Sequence, residues 1–138
     1  MESKKIVVYD VLNNSKAYGI LHIDEFDDIK ETISLFVDIN GKKITAESDN
    51  CFNAMVKIRR QLETVHQQLM CKGARRDVYP SPMQMRMGEC REAYMLSMGK
   101  PARLNQIVNI FDVENEISIC TTVDEQERYY AEWVQSLV

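Results

Sequence analysis

The sequence predicts one α+β domain in which two amphipathic helices pack on a mainly antiparallel sheet. Strand-like segments lie near both ends of the chain, a two-residue hairpin turn stands between two of them, and apolar residues recur at helical spacing over about residues 50–69 and 123–137. A chain of 138 residues that is 45% hydrophobic and 28% charged has the size and composition of a single soluble domain.

Two predicted strands open the chain. Ile6 to Leu12 is rich in β-branched residues, and Tyr18 to Ile23 returns after a polar turn. The acidic stretch from Asp24 to Asp28 is too charged for a core position, so it is predicted to be a solvated loop. Such a loop serves solubility alone or forms half of an acidic docking surface.

A hairpin follows the acidic stretch. Asn40-Gly41 supplies the two positive-φ residues that a type I′ turn requires, and this turn fixes the register of the two strands. Counting outward pairs Val37 with Ile44 on an apolar face. On the opposite face it pairs Asp38 with Lys43, which predicts a cross-strand ion pair.

The longest helical pattern covers about residues 50–69, with Ser48 or Asp49 as the predicted N-cap. The apolar residues of this pattern recur at intervals of four and three: Cys51, Met55, Ile58, Leu62, Val65 and Leu69. Because this spacing places them on one stripe, the stripe is predicted to pack on the sheet. The positions predicted to face solvent are Lys57, Arg60, Thr64 and Gln67.

Residues 71–88 show no sustained period and contain two of the three prolines. Gly73 is predicted to end the preceding helix, and residues 79–82 must run extended because a proline disfavours helical conformation in the residue before it. An irregular connection of this length inside a domain is often functional. This segment is therefore the first place to look for a site.

Further strands and a final helix are predicted after the irregular segment. Arg91 to Met98 alternates as a strand does, Leu104 to Phe111 suits a helix or a strand, and Ile117 to Thr121 is predicted to be the last strand. Thr122 and Glu125 form a capping box for the final helix. One face of that helix is predicted to contain Tyr130, Trp133, Val134 and Leu137.

The net charge of −4 is unevenly distributed, with −4 in residues 1–56, +6 in residues 57–103 and −6 in residues 104–138. Such blocks arise from ion pairs inside the fold or from separate acidic and basic faces. The basic block has few interleaved aromatic residues and the whole chain is acidic, which argues against a nucleic-acid partner. No signal segment or long apolar run is present, so a cytoplasmic protein without membrane contact is expected.

Catalytic and metal-binding motifs are not found in the sequence. The four cysteines, Cys51, Cys71, Cys90 and Cys120, lack the C-x-x-C spacing of a metal or redox site. They are expected to be reduced and largely buried, although an even number would also suit two disulfides in a secreted protein. Without a Walker loop, a nucleophile elbow or an H-E-x-x-H motif, no catalytic residue, metal or cofactor is predicted.

The densest cluster of polar side chains lies in the irregular segment and contains Arg75, Arg76, Asp77, Tyr79 and Ser81. Arginines with a tyrosine and a serine can bind a phosphate or a carboxylate, so an anionic-ligand protein or an enzyme built on Arg75, Arg76, Tyr79 and Ser81 is one hypothesis. The alternative is structural, because adjacent residues of an extended chain point in opposite directions and either arginine can pair with an internal acid.

The segment from Cys71 to Met83, C-x-G-A-R-R-D-V-Y-P-S-x-M, is followed by Ala93-Tyr94, Gly99-Lys100-Pro101 and Ile110-Phe111-Asp112. Together these motifs resemble a group of small bacterial proteins with no assigned reaction, over about residues 60–135. In size, acidity and class the chain is also similar to immunity proteins of contact-dependent growth inhibition and related toxin systems, each of which binds and blocks one toxin domain.

The second resemblance implies a non-enzymatic protein whose partner is a cognate toxin domain. An acidic surface suits a basic toxin, because electrostatic steering speeds its capture. Two groups of acidic residues are the candidate partner-binding residues. The first group is Asp24, Glu25, Asp27 and Asp28, and the second is Asp112, Glu114 and Glu116.

Overall fold

The structure is a computed structural model that describes residues 1–86 and 89–138. Its larger sheet is antiparallel and contains β1 (Glu2–Asp10), β2 (Ser15–Ile23), β3 (Ile33–Ile39), β4 (Lys42–Ser48) and β5 (Gln67–Leu69), in the order β4-β3-β2-β1-β5. Its smaller sheet is β6 (Val78–Tyr79), β7 (Glu92–Met95) and β8 (Ile107–Asn109), in that order. The helices are α1 (Cys51–Glu63), α2 (Pro82–Arg86) and α3 (Val123–Ser136). The predicted fold class is confirmed.

The β3–β4 hairpin has the predicted turn and register. Asn40 and Gly41 both have positive φ, at 50° and 76°. Val37 pairs with Ile44, and Asp38 pairs with Lys43. The local chemistry of the turn was therefore sufficient to place every side chain of this hairpin on the correct face.

The predicted ion pair between Asp38 and Lys43 is wrong, because each side chain has another neighbour on the same face. The Asp38 carboxylate lies 2.9 Å from Nε2 of His22. The Lys43 ammonium lies 4.1 Å from the centroid of the Phe36 ring, whose face attracts a cation. His22 in turn stacks on Phe36 with ring centroids 4.5 Å apart.

Helix α1 covers the opposite, apolar face of the larger sheet and buries four of the predicted stripe residues: Cys51, Met55, Ile58 and Leu62. It is shorter than predicted, because the chain turns at His66 with a φ of 60° and residues 67–69 become β5. Val65 is consequently 55% exposed, whereas Leu69 is buried opposite Val8 of β1. Residues that the periodicity assigned to the helix therefore pair with β1, which would otherwise be an unpaired edge strand of the sheet.

The N-cap of α1 is Asn50, and not Ser48 or Asp49. The Asn50 Oδ1 accepts a hydrogen bond from the Asn53 backbone N–H at 2.8 Å. The Asp49 carboxylate instead accepts from Nδ2 of Asn53 at 3.0 Å. Gly73 does not end this helix either, since α1 has already ended at Glu63 and Gly73 lies in a 3₁₀ turn.

The second half of the chain is less regular than predicted. Leu104 to Phe111 begins with a 3₁₀ turn and continues as β8. Ile117 to Thr121 contains a 3₁₀ turn at Ile117–Ile119 and only one β-bridge, between Cys120 and Arg75, so the predicted last strand is wrong. The Thr121 carbonyl, which follows the second of these turns, accepts a hydrogen bond from Arg59 of α1 at 2.9 Å.

Thr122 caps α3 as predicted, with its Oγ1 accepting the Glu125 backbone N–H at 3.2 Å. The reciprocal half of the capping box is replaced, because the Glu125 carboxylate accepts from the Thr121 hydroxyl. Its predicted apolar face is only partly correct. Trp133 is buried, but Val134 and Leu137 are 40% and 43% exposed. Within the residues that the structure describes, no helix combines the length and apolarity required to cross a membrane.

The two sheets share one core. The larger sheet and α1 contribute most of its side chains, and the smaller sheet and its neighbours add a further group: Ala74, Val78, Cys90, Ala93, Ile110 and Phe111. A void of about 10 Å³, lined by apolar side chains of this core, is too small for a ligand and, being apolar, for a stable water. Candidate sites must therefore be sought at the surface or in the polar contacts between the two sheets.

Candidate functional site

Arg75, the first residue of the predicted anionic-ligand cluster, is occupied by internal acids. Its Nε lies 2.9 Å from Oδ1 of Asp77, and its Nη1 lies 2.7 Å from Oε1 of Glu114. Lys72 reaches the same Glu114 oxygen at 2.9 Å. Although burial raises the pKa of Glu114, the hydrogen bonds from Lys72 and Arg75 hold that pKa at about 2. Arg75 therefore follows the alternative interpretation, in which an arginine of this cluster pairs with internal acids and does not bind a ligand.

The other three residues of that cluster lie in three separate environments. The Arg76 guanidinium is exposed, with its central carbon 5.9 Å from the Tyr129 ring centroid. Tyr79 stacks on Tyr130 with ring centroids 4.2 Å apart. Ser81 accepts a backbone N–H in the first turn of α2 through its Oγ, at 3.1 Å. The structure does not bring the four predicted side chains together around one ligand.

A buried guanidinium on α1 is the feature that the sequence interpretation missed. Arg59 is 1% exposed. Its Nη1 donates to Oε1 of Gln126 at 2.6 Å and to the Gly73 carbonyl at 3.3 Å, and its Nη2 donates to the Thr121 carbonyl at 2.9 Å. No carboxylate among residues 1–86 and 89–138 forms an ion pair with it. Burial lowers the pKa of Arg59.

Gln126 on α3 completes this contact and fixes the irregular segment. Its side chain is fully buried, and its Nε2 lies 2.8 to 2.9 Å from the carbonyl oxygens of Gly73, Arg75 and Val78. Three carbonyls of one segment thus converge on a single amide. The conformation of the R-R-D-V-Y stretch is set by α1 and α3 from inside the protein.

The positions of Arg59 and Gln126 could have been found by extending the helical periodicity to polar residues. Arg59 follows Met55 by four residues and precedes Leu62 by three, so it borders the buried stripe. Gln126 precedes Trp133 by seven residues and shares its face. The predicted faces of the two helices consist of apolar residues and include neither Arg59 nor Gln126, although both border those faces.

The first acidic group lies in the β2–β3 loop, and all four of its side chains are exposed, as predicted: Asp24, Glu25, Asp27 and Asp28. The loop is ordered by its own contacts. Oδ1 of Asp27 accepts the backbone N–H groups of Ile29 and Lys30 at 3.0 and 3.1 Å. A backbone hydrogen bond from the Asp24 N–H to the Ser34 carbonyl, at 3.0 Å, holds the start of the loop on β3.

An acidic groove opens beside this loop, with a volume of about 380 Å³. Its walls include Glu2, Ile23, Asp24, Glu25, Phe26, Glu89 and Arg91. Arg91 lies 2.7 Å from a Glu2 oxygen and 3.0 Å from a Glu89 oxygen, so one cation is shared by two of the four carboxylates. Asp24 and Glu25 form no ion pair within the described residues, which leaves the groove negative on this side.

The second acidic group follows β8 and is divided by burial. Asp112 and Glu116 are exposed, but Glu114 is only 7% exposed and is bound by Lys72 and Arg75. Glu114 therefore belongs to the internal network and offers little surface to a partner. The sequence could not separate these three acids, because only the fold brings Arg75 next to Glu114.

Metal-ligating and nucleophilic side chains are dispersed over the part of the chain that the structure describes. No group of three or more His, Cys, Asp or Glu side chains there could hold a metal ion. The four cysteines are free thiols. Burial raises the pKa of Cys71 to about 11 and that of Cys51 and Cys120 to about 12, so these thiols are protonated at neutral pH.

Neither a protein-family model nor a curated protein matches the chain. For the motif from Cys71 to Met83 the structure supplies a location: a 3₁₀ turn, β6 and the first residues of α2. Its buried backbone carbonyls are bound by Arg59 and Gln126.

Proposed function

We propose that this chain is a non-enzymatic binding protein of the immunity type, which neutralises a cognate toxin domain by direct contact through the acidic groove. The observation that carries the proposal is the groove of about 380 Å³ beside the β2–β3 loop. There, the exposed carboxylates of Asp24 and Glu25 line the same groove as the half-buried Phe26.

The groove has the two components of a protein-binding surface. The half-buried Phe26 supplies apolar area that a partner side chain can cover, and aromatic anchors of this kind carry much of the binding energy at interfaces. Asp24 and Glu25 supply negative charge at the rim. Asp27 and Asp28, on the same loop, extend that charge toward solvent and strengthen steering of a basic partner.

The chemistry of the groove selects a partner with an arginine or lysine at the centre of its contact surface. A guanidinium entering beside Phe26 would meet the ring face and the carboxylates of Asp24 and Glu25 together. Arg91 stands at the other side of the groove and is already paired with Glu2 and Glu89. The carboxylates of the acidic loop are therefore the groups available to a partner, whereas those of Glu2 and Glu89 are already bound by Arg91.

Copurification with the product of the neighbouring gene tests the proposal first, and the affinity of the purified pair tests the groove. Replacing Asp24→Asn together with Glu25→Gln is expected to weaken binding about tenfold or more, chiefly through a slower association rate that is most evident at low salt. The matched control removes two exposed acids from other elements, Glu92→Gln with Glu132→Gln, and should leave affinity within about twofold.

Two results would overturn the proposal. One is that the neighbouring genes yield no stoichiometric partner with a toxic activity that this chain suppresses. The other is a partner whose affinity falls equally in the groove variant and in the control variant, since the effect would then follow net charge and not the groove.

A further inference from the structure

A second cavity, of about 150 Å³, lies between the end of β7 and the 3₁₀ turn at Leu104–Gln106. The residues that line it are Met95, Ser97, Lys100, Pro101, Arg103 and Gln106. Two of these carry a positive charge, two carry neutral hydrogen-bonding groups, and no acidic residue contributes to the wall. The cavity is distinct from the acidic groove and from the Arg75 network.

The two cations of this cavity, Lys100 and Arg103, are exposed and differ in their partners from the partly buried arginines of the fold. Arg75 and Arg91 are each bound by two acidic side chains. Within residues 1–86 and 89–138, by contrast, neither Lys100 nor Arg103 forms an ion pair or a side-chain hydrogen bond. Residues 97–106 also contain no Asp or Glu that could neutralise them.

The backbone that carries these side chains is fixed by the last turns of α3. The Trp133 Nε1–H donates to the Lys100 carbonyl at 2.9 Å, and the Gly99 N–H donates to the Ser136 Oγ at 2.8 Å. A tight turn closes when the Lys100 N–H donates to the Ser97 carbonyl at 3.1 Å. Since the loop is held before any ligand binds, ordering it would take little of the binding free energy.

We propose that this cavity binds the phosphate group of a small phosphate monoester. Such a group carries about −1.5 to −2 charges at neutral pH and several strong acceptor oxygens. The Arg103 guanidinium can bind two of these oxygens side by side, Lys100 adds a point charge, and Ser97 can donate to a remaining oxygen.

The size of the cavity restricts the ligand. Pockets that enclose a whole drug-sized molecule measure about 300–1,000 Å³, so about 150 Å³ suits a charged head group whose organic part lies outside. Met95 and Pro101 supply the apolar part of the wall, on which that organic part can rest. The inference is independent of the proposed toxin partner.

Titrating the isolated protein while recording amide chemical shifts tests the site. With glycerol 3-phosphate, the amides of residues 97–106 should shift saturably, whereas sodium chloride at the same ionic strength should not reproduce the shifts. The double variant Lys100→Gln with Arg103→Gln should weaken binding at least about tenfold, because it removes both charges. Both side chains are exposed, so the urea midpoint of this variant should match that of the wild type.

The control variant, Lys5→Gln with Lys16→Gln, removes the same charge from exposed positions on β1 and β2 and should bind as the wild type does. Inorganic phosphate distinguishes the two sources of the group. Weaker binding of inorganic phosphate supports a monoester, whereas equal binding overturns the monoester in favour of the free ion. Shifts that chloride reproduces, or an equal loss of affinity in the control variant, would overturn the site altogether.

Discussion

Two regions of the molecule are stabilised in different ways. In residues 1–69, apolar side chains recur at the periods of strands and of a helix, and they pack α1 on one face of the larger sheet. In residues 70–138, strands of two to four residues alternate with 3₁₀ turns. Side-chain hydrogen bonds from Arg59 and Gln126 fix the 3₁₀ turn at Lys72–Ala74 and hold the chain at Thr121.

The difference predicts how each region responds to substitution. An apolar contact can be replaced by another of similar volume with a modest loss of stability. In a buried polar network, removing one member leaves its partners unpaired, and an unpaired buried group retains its full desolvation penalty. The second region should therefore be sensitive to single polar replacements that the first region would tolerate.

Replacing Arg59→Ala tests this most directly and should have the largest effect. It removes three charge-assisted hydrogen bonds, of about 1.5–3 kcal/mol each, while relieving the burial of a charge. We expect a net loss of about 3–5 kcal/mol in the free energy of unfolding, measured in urea. Arg60→Ala, at the next and exposed position, should lose about 1 kcal/mol or less.

Arg59→Met separates the network from the volume of the side chain, because methionine keeps most of the bulk. Relative to the wild type, this variant should exchange amide hydrogens faster in the Gly73–Tyr79 segment, and the increase there should exceed that in the larger sheet. Wild-type stability and unchanged exchange in this variant would show that the polar contacts contribute nothing, and the contrast between the two regions would be lost.

Leu62→Ala examines the apolar region and should be the next largest effect. Leu62 is fully buried on the core-facing side of α1, so its truncation leaves a cavity and should lower the free energy of unfolding by about 2–5 kcal/mol. Val65→Ala, on the same predicted stripe but 55% exposed, should lower it by less than about 0.5 kcal/mol. Equal urea midpoints would mean that α1 continues through residue 65 as the periodicity predicted.

The contrast also explains which features the sequence could predict. Asn40-Gly41 determines its hairpin through local backbone preference. The burial of Leu62 is predicted by the helical spacing of its neighbours alone, without reference to the rest of the chain. The spacing of Leu69 predicts a helical position. Its actual pairing with Val8 depends on where β1 lies in the sheet, which the spacing does not reveal. Pairings between distant segments are set by the fold and leave no local trace in the sequence.

The candidate sites follow the same division. The exposure of the loop containing Asp24 and Glu25 was predictable from its charge density alone. The burial of Glu114 was not, because it follows from the approach of Arg75 across the fold. The Lys100 cavity was missed for a similar reason, since the loop that forms it is held by contacts from α3.

Acid should weaken the second region through Glu114. Although burial raises the pKa of this carboxyl, hydrogen bonds from Lys72 and Arg75 hold it at about 2 in the folded protein, against an ordinary value of 4.5. A lowered folded-state pKa stabilises the protein above the ordinary value, and this contribution is lost as the pH falls from about 4.5 to 2.

Glu114→Gln should therefore be less stable than the wild type by roughly 1–3 kcal/mol at neutral pH, and the difference should shrink through that acidic window. Asp112→Asn, an exposed position in the same loop, provides the control and should show no such convergence. Urea unfolding at a series of pH values measures both. Parallel pH curves for wild type and Glu114→Gln would contradict the internal ion pair.

Two glycines, one in each region, give the smallest and most specific comparison. At Gly73 an added Cβ would lie 2.9 Å from Cβ of Ile110 and from Sδ of Met55, so Gly73→Ala should lower the free energy of unfolding by about 1–3 kcal/mol through overpacking. At Gly41 nothing lies within 4 Å, and only the φ of 76° opposes a side chain, so Gly41→Ala should lower the free energy of unfolding by about 1 kcal/mol.

Asparagine at the same two positions separates the two causes. Gly41→Asn should recover most of the stability lost in Gly41→Ala, because asparagine tolerates positive φ, whereas Gly73→Asn should be less stable than Gly73→Ala. If asparagine instead rescued position 73, backbone conformation and not close packing would restrict that turn, and the distinction between a locally determined hairpin and a turn fixed by its neighbours would be wrong.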